Sequence, residues 1–267
     1  MTFNLRQTVP ATSRLTNIYH LFMFTLFRSK PEPRTFKPLS TDIHAHLLPG
    51  LDNGSADMSE AVSLASGLHD LGFVHLYCTP HISKSLPGNT PDRLLAVFDA
   101  FRRSLSAAGL DIQVSLAAEY LLDEGFEGLL EAGPLLCLPG KRLLVELQPN
   151  RAEVDLRTLL FNLRIKEYLP VLAHPERYHF LPNYNKVISK WHERGYEMQV
   201  DILSLTGHHG AATRETALWM LKNNLISSLA SNVHNRKELE LLNRSLESSR
   251  VRDAVRKIGE RGGNLPV

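Results

Sequence analysis

Polar residues spaced two apart after apolar segments are the first feature of this sequence that could do chemistry. His44 and His46 stand at the end of a predicted strand, where residues two apart point to the same side, so both imidazoles can reach one cation. Asn232 and His234 have the same spacing after the last predicted strand. Imidazoles and carboxylates without cysteine suit Zn, Fe or Mn. A His-x-His pair alone is more often incidental than functional, so this prediction depends on the surrounding residues.

Four more candidate metal ligands follow other apolar segments: His81, Glu119, Glu146 and His174. A carboxylate at the end of a buried strand costs on the order of several kcal/mol unless it is paired or bound to a cation. A salt bridge to Arg or Lys is the alternative for each carboxylate, and a lone histidine such as His81 is more often structural. The two carboxylates beside several histidines together favour a metal centre.

Arg177 is the candidate phosphate-binding residue, because it follows the last of these histidines by three residues. A guanidinium beside metal ions can bind phosphate oxygens in bidentate fashion. An ion pair with Glu176 or another acid is the alternative. Arg177, His44 and His46 are therefore the candidate catalytic residues.

His208 and His209 lie in a loop bounded by glycines. We expect them to face substrate at the mouth of the pocket rather than to bind metal. The sequence contains no Gly-rich phosphate loop, Ser-His-Asp arrangement or Cys-x-x-Cys pair that competes with this constellation.

Apolar segments typical of strands alternate with amphipathic segments typical of helices. Strands are predicted at residues 41–46, 73–79, 112–118, 143–147, 170–173, 197–202 and 226–230, and helices at 58–71, 91–108, 124–131, 154–167, 184–194, 212–223 and 237–259. Strict alternation predicts an α/β fold with parallel strands and crossover helices. Because the candidate ligands follow nearly every strand, we favour a distorted (β/α)7 TIM-like barrel, whose strand ends meet at one rim, over an open sheet.

The length of 267 residues and the 43% of hydrophobic residues suit one main domain with a sizeable core. We predict an irregular lead over residues 1–38 and a barrel domain with C-terminal helices over 39–267. The formal net charge of +2 gives no reason to expect nucleic acid. Two cysteines make a disulfide framework improbable, and a reducing cytoplasm is the simplest compartment.

Residues 18–27 form the one candidate for membrane contact, and ten residues are too few to span a bilayer. A peripheral anchor with a basic flank is one interpretation. We prefer another, in which translation begins at Met23 and residues 1–22 are not translated.

Taken in order, six segments resemble the polymerase and histidinol phosphatase (PHP) superfamily: DIHAHLLPG (42–50), TPH (79–81), Glu119, Glu146, AHPER (173–177) and ASNVH (230–234). Within it they are similar to the bacterial tyrosine-protein phosphatases that are encoded with capsule and exopolysaccharide genes. The resemblance covers about residues 40 to 235 and implies a distorted barrel with up to three divalent ions, manganese above all, with iron, magnesium or zinc as alternatives.

The same resemblance implies a role for each candidate ligand. The first ion takes His44, His46, Glu119 and position 232; the second takes Glu119, Glu146 and His174; and the third takes position 53, His81 and His234. Arg177 matches the phosphate-binding arginine of the family, and an activated water attacks phosphorus in line. The implied substrate is phosphotyrosine, on the tyrosine-rich tail of a capsule-type tyrosine kinase.

Two positions depart from the family pattern, which has aspartate where this chain has Asn53 and Asn232. Asparagine keeps a carbonyl oxygen of similar reach but loses the negative charge, so we expect weaker binding at the first and third sites. Asp52 could substitute for its neighbour if it pointed the same way. Two alternatives therefore stay open: an impaired homologue that binds a phosphotyrosine tail or a partner without turnover, and a PHP hydrolase of small phosphate esters.

Overall fold

Parallel strands and helices alternate through the computed structural model, which describes Met1, residues 34–149, 153–262 and Asn264. The chain divides between Arg34 and Thr35, and every element below belongs to the unit that begins at Thr35. Most of the predicted lead, including residues 18–27 and the proposed start at Met23, lies outside the described residues. The predicted domain boundary at residue 39 therefore stays a prediction.

In the part of the chain that the structure describes, nine strands form two parallel sheets. They are β1 (Thr41–Ala45), β2 (His75–Cys78), β3 (His81–Ile82), β4 (Gln113–Leu116), β5 (Glu119–Leu121), β6 (Arg142–Glu146), β7 (Leu169–Ala173), β8 (Glu197–Asp201) and β9 (Ser228–Ala230). One sheet has the order β1-β2-β4, and the other has the order β3-β5-β6-β7-β8-β9. The predicted α/β fold with parallel strands is confirmed.

Among the described residues, the strands of the predicted distorted barrel form two sheets and not one uninterrupted ring. β1 meets the segment after β9 through one bridge, Ala45 to Val233, and two backbone hydrogen bonds. The amide of Asn232 donates to the His44 carbonyl at 2.9 Å, and the amide of His46 donates to the Val233 carbonyl at 3.0 Å. This seam places the end of β1 beside the residues that follow β9.

Two of the predicted strands, 73–79 and 112–118, are each followed closely by a short strand that was not predicted, β3 and β5, because the chain changes its pairing partner there. β2 pairs with β1 and β4, whereas β3, which begins only three residues after β2, pairs with β5. The register of this second pair sets His81 opposite Glu119. Glu119 therefore opens a strand, where the sequence predicted that it would follow one.

Eight helices lie between and after the described strands: α1 (Met58–Asp70), α2 (Pro91–Ala107), α3 (Phe126–Ala132), α4 (Glu153–Ile165), α5 (Tyr184–Glu193), α6 (Ala211–Lys222), α7 (Arg236–Ser245) and α8 (Ser249–Gly259). Side chains of Asp57, Thr90 and Asn235 cap the first turns of α1, α2 and α7 by accepting backbone N–H groups. No helix among the described residues is both long and apolar enough to cross a bilayer.

The predicted C-terminal helix 237–259 is two helices. Ser248 has an extended backbone, and the carbonyls of Leu246 and Glu247 accept hydrogen bonds from the Arg252 guanidinium at 2.6 and 2.9 Å. Because a side chain satisfies these carbonyls, the chain turns between α7 and α8 at no cost in unpaired backbone groups.

Both faces of the central strands are buried. On β6 and β7, Leu144, Val171 and Ala173 pack together on one face, whereas Leu143 and Leu172 point the opposite way and join the main core under the helices. This period of two is expected for parallel strands that are covered on both sides. It also places Glu146 on the same face of β6 as Leu144, toward the site described below.

The seam between β1 and β9 generates a stability prediction. The buried Asn264 amide donates to the carbonyls of Thr41 and Leu229 and accepts the Leu229 amide at 3.3 Å. Since Asn264→Ala leaves these backbone groups without partners, we expect it to lower the free energy of unfolding by about 1–3 kcal/mol. Urea denaturation measures this loss. Asn243→Ala, on the exposed face of α7, is the matched control, and an equal effect of both changes would contradict a role for Asn264 in the seam.

Candidate metal centre

A cavity of about 300 Å³ lies where the strands end. The side chains that line it are Asn53, His81, Glu119, Glu146, His174, Arg177, His209, Asn232, His234, Asn235 and Glu238. His44 and His46, both fully buried, contact Glu119 beneath them. All nine side chains predicted as metal ligands are thus brought to one place, from segments nearly two hundred residues apart.

The fully buried carboxylate of Glu119 is the centre of this cluster. Its Oε2 lies 3.1 Å from Nε2 of His44, 3.4 Å from Nε2 of His46 and 3.2 Å from Nδ1 of His81. Its Oε1 lies 3.1 Å from Nε2 of His174. Four imidazoles therefore surround one carboxylate.

Three overlapping groups of ligand atoms are close enough to share cations. The groups are His44, His46 and Glu119; His46, His81 and His234; and His81, Glu119 and Glu146, with ligand atoms within 4.8 Å of one another in each group. His174 belongs beside the last group, since its Nε2 is 3.8 Å from Oε1 of Glu146. Asn53 lines the same cavity as an exposed residue.

The donor set fits divalent cations. Nε2 of His44 and Nε2 of His46 face each other at 3.1 Å. Two nitrogens bound to one cation at about 2.1 Å each are separated by roughly this distance. The carbonyl Oδ1 of Asn232 is buried at the cavity and has no hydrogen-bond partner. A buried oxygen of this kind normally has a partner, and a bound ion is one candidate.

Outer contacts fix the orientation of both histidines of the His-x-His pair. Nδ1 of His44 lies 2.9 Å from Oε1 of Gln199, and Nδ1 of His46 lies 2.8 Å from Oδ2 of Asp52. Because these oxygens accept hydrogen bonds, each ring carries its proton on Nδ1 and can present Nε2 to a cation.

Asp52 is not positioned to replace the carboxylate that Asn53 lacks. Its Oδ2 accepts the His81 amide at 2.9 Å in addition to its contact with His46, and its Oδ1 accepts the Gly54 amide at 2.9 Å. Both oxygens are therefore occupied. Asp52 supports His46 from the side away from the cluster.

Contacts within the cluster shift the pKa values of its members against the effect of burial. Burial alone would raise the pKa of Glu119, but the imidazoles of His44, His81 and His174 hold it well below its usual range. Burial opposes protonation of His46, yet hydrogen bonds to Asp52 and Glu119 raise its pKa to about 10.

Glu119 raises the pKa of two further imidazoles, His174 and His81, but burial outweighs this effect at only one of them. Burial alone would lower the pKa of His174, but the hydrogen bond to Glu119 raises it to about 9. For His81 burial prevails and lowers the pKa to about 4. Without cations, protons on His46 and His174 therefore balance the buried carboxylates.

Arg177 does not pair with its neighbour Glu176, which was the alternative from sequence. Its guanidinium forms an ion pair with the buried carboxylate of Asp201 and contacts Nε2 of His209. Glu176 instead accepts the Asp201 amide and, at 2.6 Å, the Ser204 hydroxyl. Burial, with the nearby Asp201 charge, raises the pKa of Glu176 to about 7.

The two histidines predicted at the pocket mouth have different positions. His209 lines the cavity beside Arg177. His208 is exposed and does not line the cavity, and its ring contacts the ring of His209 edge-on at 4.7 Å. Adjacent loop residues point in different directions, so the dipeptide could not predict which one faces inward.

Three residues of the site were missed from sequence. Gln199 and Asp201 have the same two-residue spacing as the His-x-His pair, and their position at the end of a predicted strand was the signal available. Glu238 lies four residues after His234, and its Oε2 accepts the His234 amide at 2.8 Å. These residues contact the predicted ligands from outside.

Comparison with known proteins identifies a family and several similar relatives. Residues 40–258 match the family described as "Capsular polysaccharide synthesis, CpsB/CapC". Tyrosine-protein phosphatase YwqE of Bacillus subtilis is 28% identical over 195 residues, which cover 73% of this chain and 77% of that protein. Tyrosine-protein phosphatase CpsB of Streptococcus agalactiae is 26% identical over 201 residues, which cover 73% of this chain and 82% of that protein.

A solved structure is similar over most of the chain. It belongs to the pair YwqE from Bacillus subtilis and CpsB from Streptococcus pneumoniae, described as unique metal-dependent tyrosine phosphatases. Its TM-score is 0.71 at 25% identity, and the match covers 84% of this chain and 93% of that one.

The protonation of the cluster generates a prediction about metal binding. His46 and His174, with pKa values of about 10 and about 9, both carry an extra proton at pH 7 that a cation must displace. We expect Mn²⁺ binding to release protons and its apparent affinity to rise with pH up to about pH 9–10. Calorimetric titration of the metal-free protein in two buffers of different ionisation enthalpy measures the number released.

A pair of variants tests whether His46 is a source of the protons released on Mn²⁺ binding. Asp52→Asn removes the carboxylate that raises the pKa of His46, so fewer protons should be released. Asp57→Asn, which changes the exposed cap of α1, is the matched control and should release as many as the unaltered protein. Binding heats that do not depend on the buffer would contradict the assignment of protons to these imidazoles.

Proposed function

This chain belongs to the CpsB/CapC capsular polysaccharide synthesis family, and from that premise we propose that it is a metal-dependent protein-tyrosine phosphatase that hydrolyses phosphotyrosine. One observation carries the proposal: four imidazoles surround the buried carboxylate of Glu119 in a cavity that also contains the Arg177 guanidinium. Cation ligands beside a positively charged side chain are the parts that phosphoryl transfer requires.

The proposed ligand sets follow the family pattern and use side chains of this cavity. His44, His46, Glu119 and Asn232 would hold one cation; Glu119, Glu146 and His174 a second; and Asn53, His81 and His234 a third. Manganese is our first choice among the divalent ions. When bound, such cations supply the Lewis acidity that activates water and neutralises charge on phosphoryl oxygens.

The chain's own residues orient the substrate. Arg177, at the cavity wall, can donate two hydrogen bonds to phosphoryl oxygens, which a lysine could not do in the same plane. The ion pair with Asp201 restricts the guanidinium, so less side-chain entropy is lost when phosphate binds. His209, in contact with Arg177, forms the adjoining wall.

For the substrate we propose a phosphotyrosine-containing protein, in particular the tyrosine-rich tail of a capsule-type tyrosine kinase in the cytoplasm. The names of the relatives as tyrosine-protein phosphatases support the phosphotyrosine. A cavity of about 300 Å³ is at the small end of ligand-binding sites, which suits one phosphorylated side chain on an extended peptide.

A second candidate function rests on Asn53 and Asn232. If the lost charges weaken cation binding enough, the protein would bind phosphotyrosine through Arg177 without turnover. A hydrolase of small phosphate esters is the remaining alternative from sequence.

One experiment separates these functions. The protein is stripped with chelator and reloaded with Mn²⁺, bound metal is counted by mass spectrometry, and hydrolysis is measured on p-nitrophenyl phosphate, a phosphotyrosine peptide and an alkyl phosphate. We expect at least two ions per chain and turnover of the phosphotyrosine peptide that is lost on chelation. Fewer than two ions with no turnover at millimolar Mn²⁺ would retire the phosphatase. Preference for the alkyl phosphate would favour the small-ester hydrolase.

Arg177 provides a sharper test of the phosphate-binding role. Because Arg177→Ala removes a charged donor from the phosphoryl group, we expect kcat/KM for the phosphotyrosine peptide to fall by about two to three orders of magnitude. Arg256→Ala, an exposed change on α8, is the matched control. The metal content of both variants should equal that of the parent. A loss of less than about threefold in Arg177→Ala would show that this guanidinium does not bind the transferred group.

A further inference from the structure

The nitrogen of the Asn232 side-chain amide has a hydrogen-bond partner, whereas its oxygen has none. Its Nδ2 donates to Oδ2 of Asp201 at 3.1 Å, while its Oδ1 is buried without a hydrogen-bond partner. The contact with Asp201 decides which end is which, since an ionised carboxylate accepts hydrogen bonds and cannot donate. The carbonyl oxygen therefore points away from Asp201.

The backbone of Asn232 is held beside the histidines. Its amide donates to the His44 carbonyl at 2.9 Å, and its own carbonyl accepts Nδ1 of His234 at 2.9 Å. Its φ of 48° lies in the left-handed region, which asparagine tolerates better than most residues. The unsatisfied oxygen thus belongs to a residue fixed between two predicted cation ligands.

Asp201 is itself rigidly held. It is almost fully buried, and its Oδ1 accepts Nε2 of Gln199 at 3.0 Å. The other end of Gln199 accepts Nδ1 of His44. Its Oδ2 also forms an ion pair with the Arg177 guanidinium, which stabilises the charged carboxylate. A continuous set of hydrogen bonds therefore runs from His44 through Gln199 and Asp201 to Asn232.

We propose that Asp201 is a positioning residue that turns the Asn232 carbonyl toward the cation beside His44 and His46, and that it supplies from outside the negative charge that Asn232 lacks. This inference rests on the proposed function. The usual arrangement, a carboxylate on the cation, is replaced here by a neutral ligand with a carboxylate directly behind it.

The physical reason is the polarisation of an amide by a charge at its nitrogen end. A carboxylate that accepts the N–H bonds draws positive charge to the nitrogen and leaves the carbonyl oxygen more negative, which improves it as a ligand. The same buried charge attracts the cation at longer range, because screening is weak in the interior. The carboxylate beside Asn53 in sequence, that of Asp52, is instead used by His46, His81 and Gly54. We therefore expect the cation site at Asn232 to be stronger than the one at Asn53.

An exchange of the two residues tests this role. Asp201→Asn should weaken Mn²⁺ binding about 10- to 100-fold at one site, measured by calorimetry and by the metal retained after gel filtration. The double variant Asp201→Asn with Asn232→Asp keeps the same groups in exchanged places, and we expect it to return the affinity to within about threefold of the parent. Asn232→Asp alone places two carboxylates next to each other, and their repulsion offsets part of the benefit of the added charge. Its gain in Mn²⁺ affinity over the parent should therefore be smaller than the gain of the double variant over Asp201→Asn.

Glu176→Gln is the matched control, because Glu176 is a buried carboxylate that contacts the backbone of Asp201 and not Asn232. It should leave Mn²⁺ affinity unchanged. Parental affinity in Asp201→Asn would overturn the positioning role while leaving the metal-dependent phosphatase intact, since the parent would still bind its ions. If Asp201→Asn binds Mn²⁺ weakly and the double variant does not recover the affinity, Asp201 has only a general structural role, and the positioning role is overturned. A parent protein without bound Mn²⁺ would overturn the phosphatase and this inference together.

Discussion

A carboxylate buried out of reach of water is the constraint on which the rest of this structure depends. Glu119 is fully buried and ionised, and such a charge is tolerated only where partners surround it. Its partners come from three places in the chain: the end of β1, β3 and the segment after β7. Only parallel strands whose carboxyl ends face the same way can deliver them together.

The histidines around Glu119 are useful because their rings are oriented from outside. Asp52 and Gln199 hold the two rings of the His-x-His pair, and the seam between β1 and β9 places His44 against Asn232. That seam has few backbone bonds, because β9 has only three residues. Polar side chains strengthen it: Oδ1 of Asp42 accepts the Ser231 amide at 3.0 Å, and burial raises the pKa of Asp42 to about 6. The contacts that join β1 to β9 therefore also position the histidines of the candidate metal centre.

The two asparagines have different consequences because their neighbours differ. Behind Asn232 stands the carboxylate of Asp201, which belongs to no predicted ligand set and, by the inference above, offsets part of the lost charge from outside. Beside Asn53 the available carboxylate is already committed to His46. The same substitution in sequence therefore has two electrostatic outcomes, which depend on the geometry of one neighbouring side chain.

The sequence by itself determined the alternation of strands and helices, the side of β1 that carries both imidazoles, and eight of the nine side chains that meet at the cluster; the ninth, Asn53, was implied only by the family resemblance. These follow from local rules, since period-two spacing and the position of polar residues after apolar segments require no knowledge of distant contacts. Tertiary structure decided the rest. It added a short strand after each of two predicted strands where the chain changes its pairing partner, and it paired Arg177 with Asp201 instead of Glu176. It also turned His209 inward and His208 outward, and placed Asp201 behind Asn232. Each of these depends on which residues far apart in the chain come within a few ångströms, and that is set by the packing of the whole fold.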